Sequence, residues 1–327
     1  MGGAEPQLLL VRGQLPAAWS KALPEPWRAR PFESPEALLQ ASASPQPVPT
    51  LLALGDGWAQ QVPPARLRPL AVQGLLRELD PLAAAPSRLF APEGSPVLAF
   101  PWAFGTWVLL LRNRPDLLRR RAEGWSLLLD PSLRGRLVLP SSPRVVIELA
   151  LRQLGVDPAE PTALGDSRLA ARLAALRRQA LAFDERDGLQ WLLAGDADAA
   201  VVPSQRALPL LQRDPRLEAL LPASGSPLSW QLLLQLGRDG DPTVPLPLEW
   251  LRDGLTLPLL DRLLAAGCVP PLPPHRLQGA LARWPQRLRP LLLPPPAVLA
   301  RCTNLPPLSA AEQRRWQALW DGALAGA

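Results

Sequence analysis

Strand and helix signals alternate along this 327-residue chain and place it in the α/β class, with mixed sheets flanked by helices. Three observations carry that reading. Short apolar runs of strand length recur, as in Leu8-Leu9-Leu10-Val11 and Leu51-Leu52-Ala53-Leu54. Segments with helical apolar spacing lie between them, and many of the 43 prolines fall at the joints. With 47% hydrophobic residues, the chain is also long enough to build two cores.

Each element follows from local chemistry. Gln7 to Val11 reads as a buried strand, and Leu15 to Leu23 as a helix stopped by Pro24 and Pro26. Ser34 is placed as the N-cap of a helix that has Pro35 at its first position. Thr50 to Leu54 is a second strand, closed by the turn Gly55-Asp56-Gly57-Trp58, and Val62 to Leu79 is expected to be helical. Pro96 to Phe100 and Thr106 to Leu111 are expected as two separate strands. Asp130-Pro131 starts a turn, Gly135 allows a tight reversal, and Leu137 to Leu139 re-enters a sheet. Pro143 to Leu154 is a helix that Gly155 ends, and Leu169 to Leu181 is another. Asp187 to Leu193 precedes the strand signal in Gly195 to Val202, and Gln231 to Leu236 is a return strand. Leu248 to Ala266 reads as one amphipathic helix around Trp250. Ser309 with Glu312 forms a capping box for a last helix running to Leu324.

Charge and composition narrow the function. The net charge is +6, with Lys21 the single lysine, but the arginines are interleaved with Glu and Asp and form no basic stripe, so no nucleic-acid partner is expected. No apolar run reaches membrane-spanning length. Cys268 and Cys302 make no disulfide framework and read as small buried apolar residues, with their pairing left open. The chain has no tyrosine, and its one histidine, His275, lies in a proline-rich turn, so no metal site is expected. There is no Gly-x-Ser-x-Gly, no phosphate-binding Gly-rich loop with Lys and no His-Glu-x-x-His. The carboxylate pairs Asp184-Glu185 and Asp196-Asp198 read as solvated element ends, so the chain is not expected to be an enzyme.

Four short motifs, in order, carry a resemblance. Phe104-Gly105-Thr106 runs into a hydrophobic strand and then Asn113. Trp125 to Leu139 reads Trp-x-x-Leu-x-Asp-Pro-x-x-Arg-Gly-Arg-hydrophobic, and Gly195-Asp196 precedes a small-hydrophobic strand. Gly267-Cys268-Val269-Pro270 stands where an apolar Gly-Tyr-x-Pro turn would fall. Together these resemble the periplasmic substrate-binding proteins of ABC importers, spermidine/putrescine-binding type. The resemblance implies a two-lobed periplasmic-binding-protein-like fold, each lobe a mixed sheet flanked by helices and joined by crossing hinge strands. Lobe 1 is expected over 5–107 plus about 232–280, and lobe 2 over 108–231 plus about 281–327.

It further implies a monomer that binds a small solute in the inter-lobe cleft without bond chemistry or cofactor, and that delivers it to ABC permease subunits. A periplasmic location follows from the resemblance; no export signal is present in this chain, and one is expected to have been trimmed or to lie upstream of Met1. Ligands in such folds sit at strand C-terminal ends and helix N-termini. The positions so implied are Arg12 and Gly13; Asp56, Gly57 and Trp58; Trp102; Ser142 and Arg144; Ser204, Gln205 and Arg206; and Trp230 with Gln231. A polyamine needs carboxylates for its ammonium groups and aromatic faces for its methylenes. Asp56 and Trp58 supply one of each, whereas Ser142 and Arg144 stand where the resemblance implies acids, Ser204-Gln205-Arg206 where a Trp-Asn-Gly-like segment is usual, and Trp230-Gln231 where an acid is usual near an aromatic. Arg12, Arg144 and Arg206, turned inward, would instead suit an anion. The alternative reading is a degenerate binding protein, with an anionic ligand or none, that acts as an interaction module.

Overall fold

The computed structural model describes residues 5–44, 48–184, 187–237 and 244–325. Glu185, one member of the Asp184-Glu185 pair considered above, lies outside the described residues. Ten strands are formed among those described: β1 (Gln7–Val11), β2 (Arg28–Phe32), β3 (Thr50–Gly55), β4 (Leu67–Arg68), β5 (Ala99–Arg112), β6 (Leu137–Leu139), β7 (Ala180–Phe183), β8 (Ala199–Pro203), β9 (Leu217–Leu220) and β10 (Leu228–Leu236). The chain divides into two compact units: unit 1 is Met1–Phe104 with Ser229–Pro285, and unit 2 is Gly105–Leu228 with Gln286–Ala327. The backbone therefore passes between units inside β5, inside β10 and after Pro285.

In unit 1, β1 pairs in parallel with β2 and β3, while β10 runs antiparallel to β3, from Gln231 opposite Gly55 to Leu236 opposite Thr50. β4 adds a short antiparallel rung to β10. Helix Pro35–Ala43 returns the chain from β2 to β3, and its start is fixed as the sequence requires, with the Ser34 hydroxyl accepting from the Ala37 N–H at 3.2 Å. The unit's interior combines strand leucines with tryptophans. Trp19 and Trp250 stack at 4.6 Å, and each indole N–H donates to the other's carbonyl, at 2.9 and 2.8 Å. Burying two indoles requires partners for both N–H groups, and this exchange supplies them.

In unit 2, β5 runs antiparallel to β8, from Trp107 opposite Pro203 to Leu111 opposite Ala199, and antiparallel to β9. β6 is parallel to both β7 and β8. Helix Pro143–Gln153 is apolar on most of its surface, with Val145 to Leu151 almost wholly buried, and it packs in a cluster with Trp125, Leu137, Leu139, Leu173 and Leu176. Gly155 ends it at φ +71°. The last helix, Ala310–Ala325, begins with a complete capping box. The Ser309 N–H donates to Glu312 Oε2 at 2.7 Å, and the Glu312 N–H donates to Ser309 Oγ at 3.3 Å.

Several elements differ from the sequence reading, for physical reasons. Pro96–Phe100 and Thr106–Leu111 are not two strands: Ala99–Arg112 is one strand, because Phe100 to Gly105 remain extended through Pro101. Val62 to Leu79 is not helical. Pro63, Pro64 and Pro69 interrupt it, leaving a 3-10 turn, β4 and the single turn Gln73–Leu76. Leu248 to Ala266 splits into Leu248–Asp253 and Leu259–Ala265, with Gly254 and Pro258 at the break. A Cβ on Gly254 would stand 3.0 Å from the Trp19 ring, so the residue that weakens the helix also lets the ring come close. Leu169 to Leu181 ends as a helix at Gln179, and its last residues join β7. β2 has no sequence signal: it is an exposed edge strand with the composition Arg-Ala-Arg-Pro-Phe.

Candidate functional site

Parallel strands bring their C-terminal ends to the same edge of a sheet, and the loops that follow them form the surface where α/β proteins hold ligands. In unit 1 that edge carries Arg12 and Gly13 after β1, and Asp56, Gly57 and Trp58 after β3. Gln231 joins them because β10 places it opposite Gly55. Gly13 turns the chain at φ +78°. The Gln231 side-chain carbonyl accepts from the Gln14 amide at 2.8 Å, and Gln14 Oε1 in turn accepts from the Val11 N–H at 3.2 Å. Asp56 is buried, and its Oδ1 accepts from the Trp230 N–H at 3.3 Å. Trp58 is half-buried and Gly57 exposed.

Unit 2 builds its edge in the same way. Ser204, Gln205 and Arg206 open helix Ser204–Leu211 directly after β8, and Ser142 precedes helix Pro143–Gln153 after β6. The antiparallel approach of β5 brings Gly105 and Thr106 to this edge. The Thr106 N–H donates to Ser204 Oγ at 3.2 Å. A Cβ on Gly105 would lie 2.6 Å from that same oxygen and 3.0 Å from the Gln205 side chain. The glycine of the Phe-Gly-Thr motif is therefore required by a close approach, not by its backbone angle.

Not every residue implied by the sequence reaches an edge as a binding group. Trp102 is 1% exposed and meets Trp19 edge-on at 5.2 Å; Trp230 is 0% exposed and stacks on Phe104 at 5.5 Å. Both rings pack the interior, where large aromatics bury most area, and the Trp230 backbone N–H is the group that donates to Asp56 Oδ1. Arg12 is exposed, and its Nε and Nη2 both donate to Glu33 Oε1, at 2.9 and 2.6 Å. That pairing raises the Arg12 pKa and lowers that of Glu33. The Arg144 guanidinium is held by the Pro306 carbonyl and lies over the Trp316 ring at 5.7 Å. Two of the three arginines considered for an anion are thus engaged within their own units, while Arg206 is exposed. Gln14 was missed by the sequence reading; the available signal was a polar side chain in the turn that follows a buried strand.

Asp198 is tied to Arg136 at 2.8 Å and to Arg114 at 3.6 Å, so this carboxylate serves an ion-pair network. Both cysteines are free thiols; Cys268 is buried, which pushes its pKa up to about 12. No group of three His, Cys, Asp or Glu among the described residues is placed to hold a metal ion, and none of the described helices is long and apolar enough to cross a membrane.

No family model and no curated protein matches this chain. Solved structures do. The chain is similar to the spermidine/putrescine ABC transporter substrate-binding protein PotD from Streptococcus pneumoniae, with a TM-score of 0.77 and 14% identity over 98% of this chain and 99% of that one. It is similar to the Tp0655 (TpPotD) lipoprotein of Treponema pallidum, with a TM-score of 0.68 and 14% identity over 97% and 98% of the two chains. It is also similar to the PBP MotA from A. tumefaciens B6, solved in complex with glucopine, with a TM-score of 0.64 and 12% identity over 98% of each chain. The chain thus has the two-lobed periplasmic-binding-protein fold, the architecture of PotD-type substrate-binding proteins.

Proposed function

We propose that this chain is the solute-binding component of an ABC-type importer, a non-enzymatic protein that works outside the cytoplasmic membrane and hands a small solute to permease subunits. The observation that carries the reading is similarity over the full length of both chains to a substrate-binding protein of this kind, together with a strand-end surface on each unit. One neighbour is a spermidine/putrescine-binding protein and another was solved with glucopine, so the fold accommodates more than one solute chemistry.

The residues at the two edges favour a small polar solute with at most one ammonium group. Amide and hydroxyl groups prevail there: Gln14 and Gln231 in unit 1, Ser142, Ser204 and Gln205 in unit 2. Asp56 is the one carboxylate of the implied set, and a polyamine needs a partner for each ammonium it buries. A thermal-shift screen with putrescine, spermidine, neutral amino compounds and organic anions tests the proposal, since a ligand bound only by the folded state raises the midpoint. The expected result is a rise with an amino compound that Asp56→Asn weakens at least tenfold in Kd, about 1.4 kcal/mol. A rise with spermidine exceeding all others would overturn the solute class, and silence across the panel would overturn solute binding itself. That last outcome fits the second reading, an interaction module without a small ligand. It is favoured by the Gln14–Gln231 and Asp56–Trp230 hydrogen bonds, which satisfy polar groups of the unit 1 edge internally.

A further inference from the structure

We propose that the outward side of β9 in unit 2 docks an extended, acidic segment of a partner protein, which adds a strand to the sheet there. Hydrogen-bond phase decides which groups of β9 are free. The Asn113 N–H donates to the Arg216 carbonyl at 2.9 Å, and the antiparallel register continues through Leu111 opposite Glu218 to Leu109 opposite Leu220. Hydrogen-bonded pairs alternate along an antiparallel ladder, so Arg216, Glu218 and Leu220 direct their N–H and C=O groups to β5. Leu217 and Ala219 turn theirs the other way. The Leu217 N–H is taken by the Asp214 carbonyl at 3.1 Å. The Leu217 C=O and both backbone groups of Ala219 have no partner among the described residues.

Apolar space lies along that side. A groove of about 360 Å³, at the lower end of the range for ligand pockets, runs between β9 and the segment 287–291. All four residues from Glu218 to Leu221 line it. Successive strand residues face opposite ways, so a hollow touching four in a row sits beside the strand and not over one face. Leu118, Leu220, Leu221, Leu288 and Leu291 wall it, and an apolar side chain entering it would leave water. Exposed sheet flanks normally carry devices that prevent pairing. β2, the exposed strand of unit 1, has two arginines and a proline, whereas β9 reads Leu-Glu-Ala-Leu, with one charge and no proline.

Charge selects the occupant. Arg121 and Arg287 border the groove and are exposed. Among the described residues the Arg121 side chain has no ion pair, and Arg287 uses Nη2 on the Leu211 carbonyl at 3.4 Å. Glu218, the one acid on the lining, is paired with neither arginine. An acidic residue beside the entering apolar one would meet a guanidinium, the stronger kind of hydrogen-bonded pair. Main-chain bonds would then supply affinity, and the groove with its two arginines would supply selectivity. A second copy of this chain docked by the same surface would set arginine against arginine, so the partner is a different protein.

Fluorescence anisotropy of the full chain with a labelled peptide of alternating leucine and glutamate tests this. The expected result is saturable binding that is weaker by about tenfold or more when lysine replaces glutamate in the peptide. A strand pairs through alternate amides, so N-methylation of one alternating set of peptide amides should abolish binding, and of the other set should not. Ala219→Pro removes an outward N–H without breaking a rung to β5, and should weaken binding about tenfold. Arg121→Gln, at an exposed position, should weaken it as well and keeps the test open should the strand variant fail to fold. Asp56→Asn should leave peptide binding unchanged, which separates this surface from the solute reading. No binding, equal binding of the lysine peptide, equal loss from both methylation patterns, or full binding by Ala219→Pro would overturn the proposal. Association with phosphatidylglycerol vesicles but not with the peptide would also overturn it, and would make the surface a membrane contact.

Discussion

The two units solve the same problem, burying polar groups beneath a sheet, with different chemistry. Unit 1 closes its interior with neutral partners: two indoles exchange hydrogen bonds with each other's backbone, and Trp102 packs edge-on beside them. Of the buried charged residues described, Asp56 belongs to unit 1, whereas Asp130, Glu148 and Arg152 belong to unit 2. Unit 2 uses those charges to join segments distant in sequence, since Arg152 binds carbonyls at 224 and 301 and Thr303 bridges it to Glu148. Neutral pairs tolerate partial loss, because each deletion leaves at most a dipole unpaired. A buried charge does not, because its desolvation has already been incurred and only its partners offset it.

The largest expected effect follows directly. Arg152→Ala would strand Glu148 and two carbonyls, costing about 3–5 kcal/mol. Hydrogen-exchange mass spectrometry should show protection lost in helix Pro143–Gln153 and in residues 222–228 and 300–303, with β1 and β3 of unit 1 unchanged. Pairing Arg152→Met with Glu148→Gln should recover part of the loss, since no unpaired charge remains. Loss spread equally over both units would show that the two interiors do not differ in this way.

Trp19→Phe is the matching test in unit 1. It removes the Nε1 bond to the Trp250 carbonyl but keeps an aromatic ring against Trp250 and Trp102. The expected cost is about 1–3 kcal/mol, read as a lower midpoint in urea and faster exchange in helix Leu248–Asp253. A cost as large as that of Arg152→Ala would mean that neutral pairing is no more forgiving than charge.

Strands with a continuous apolar run could be read from the sequence, and so could helices bounded by explicit caps. Gln7–Val11 and Leu137–Leu139 are formed as expected, and Gly155 ends its helix where the sequence places it. What could not be read depends on neighbours. β2 is a strand because β1 pairs with it, since its own residues are mostly exposed. Val62 to Leu79 is expected to be helical, but Pro63, Pro64 and Pro69 break it in the structure. At the site, sequence located the strand ends but not the side-chain directions. Strand periodicity does not report that Trp102 and Trp230 turn to the interior, and nothing local to Arg12 reports that Glu33 engages it.

The smallest effect compares one device in both units. Ser34 caps Pro35–Ala43 in unit 1, and Ser309 caps Ala310–Ala325 in unit 2, so each Ser→Ala change should cost about 1 kcal/mol. They differ in how they answer to pH. Ser34 works alone, whereas Ser309 is reciprocated by Glu312, whose pKa its hydrogen bonds to Ser309 lower. A lowered carboxylate pKa contributes stability above its unfolded value, and that contribution is lost as pH falls through the folded pKa. The difference in stability between wild type and Ser309→Ala should therefore shrink on acidification below the ordinary glutamate range, while that between wild type and Ser34→Ala stays constant. Exchange of the first turn of Ala310–Ala325, followed over that pH range, measures it. A parallel decline in both caps would show that acid loosens the helix ends generally, and would remove Glu312 as the cause.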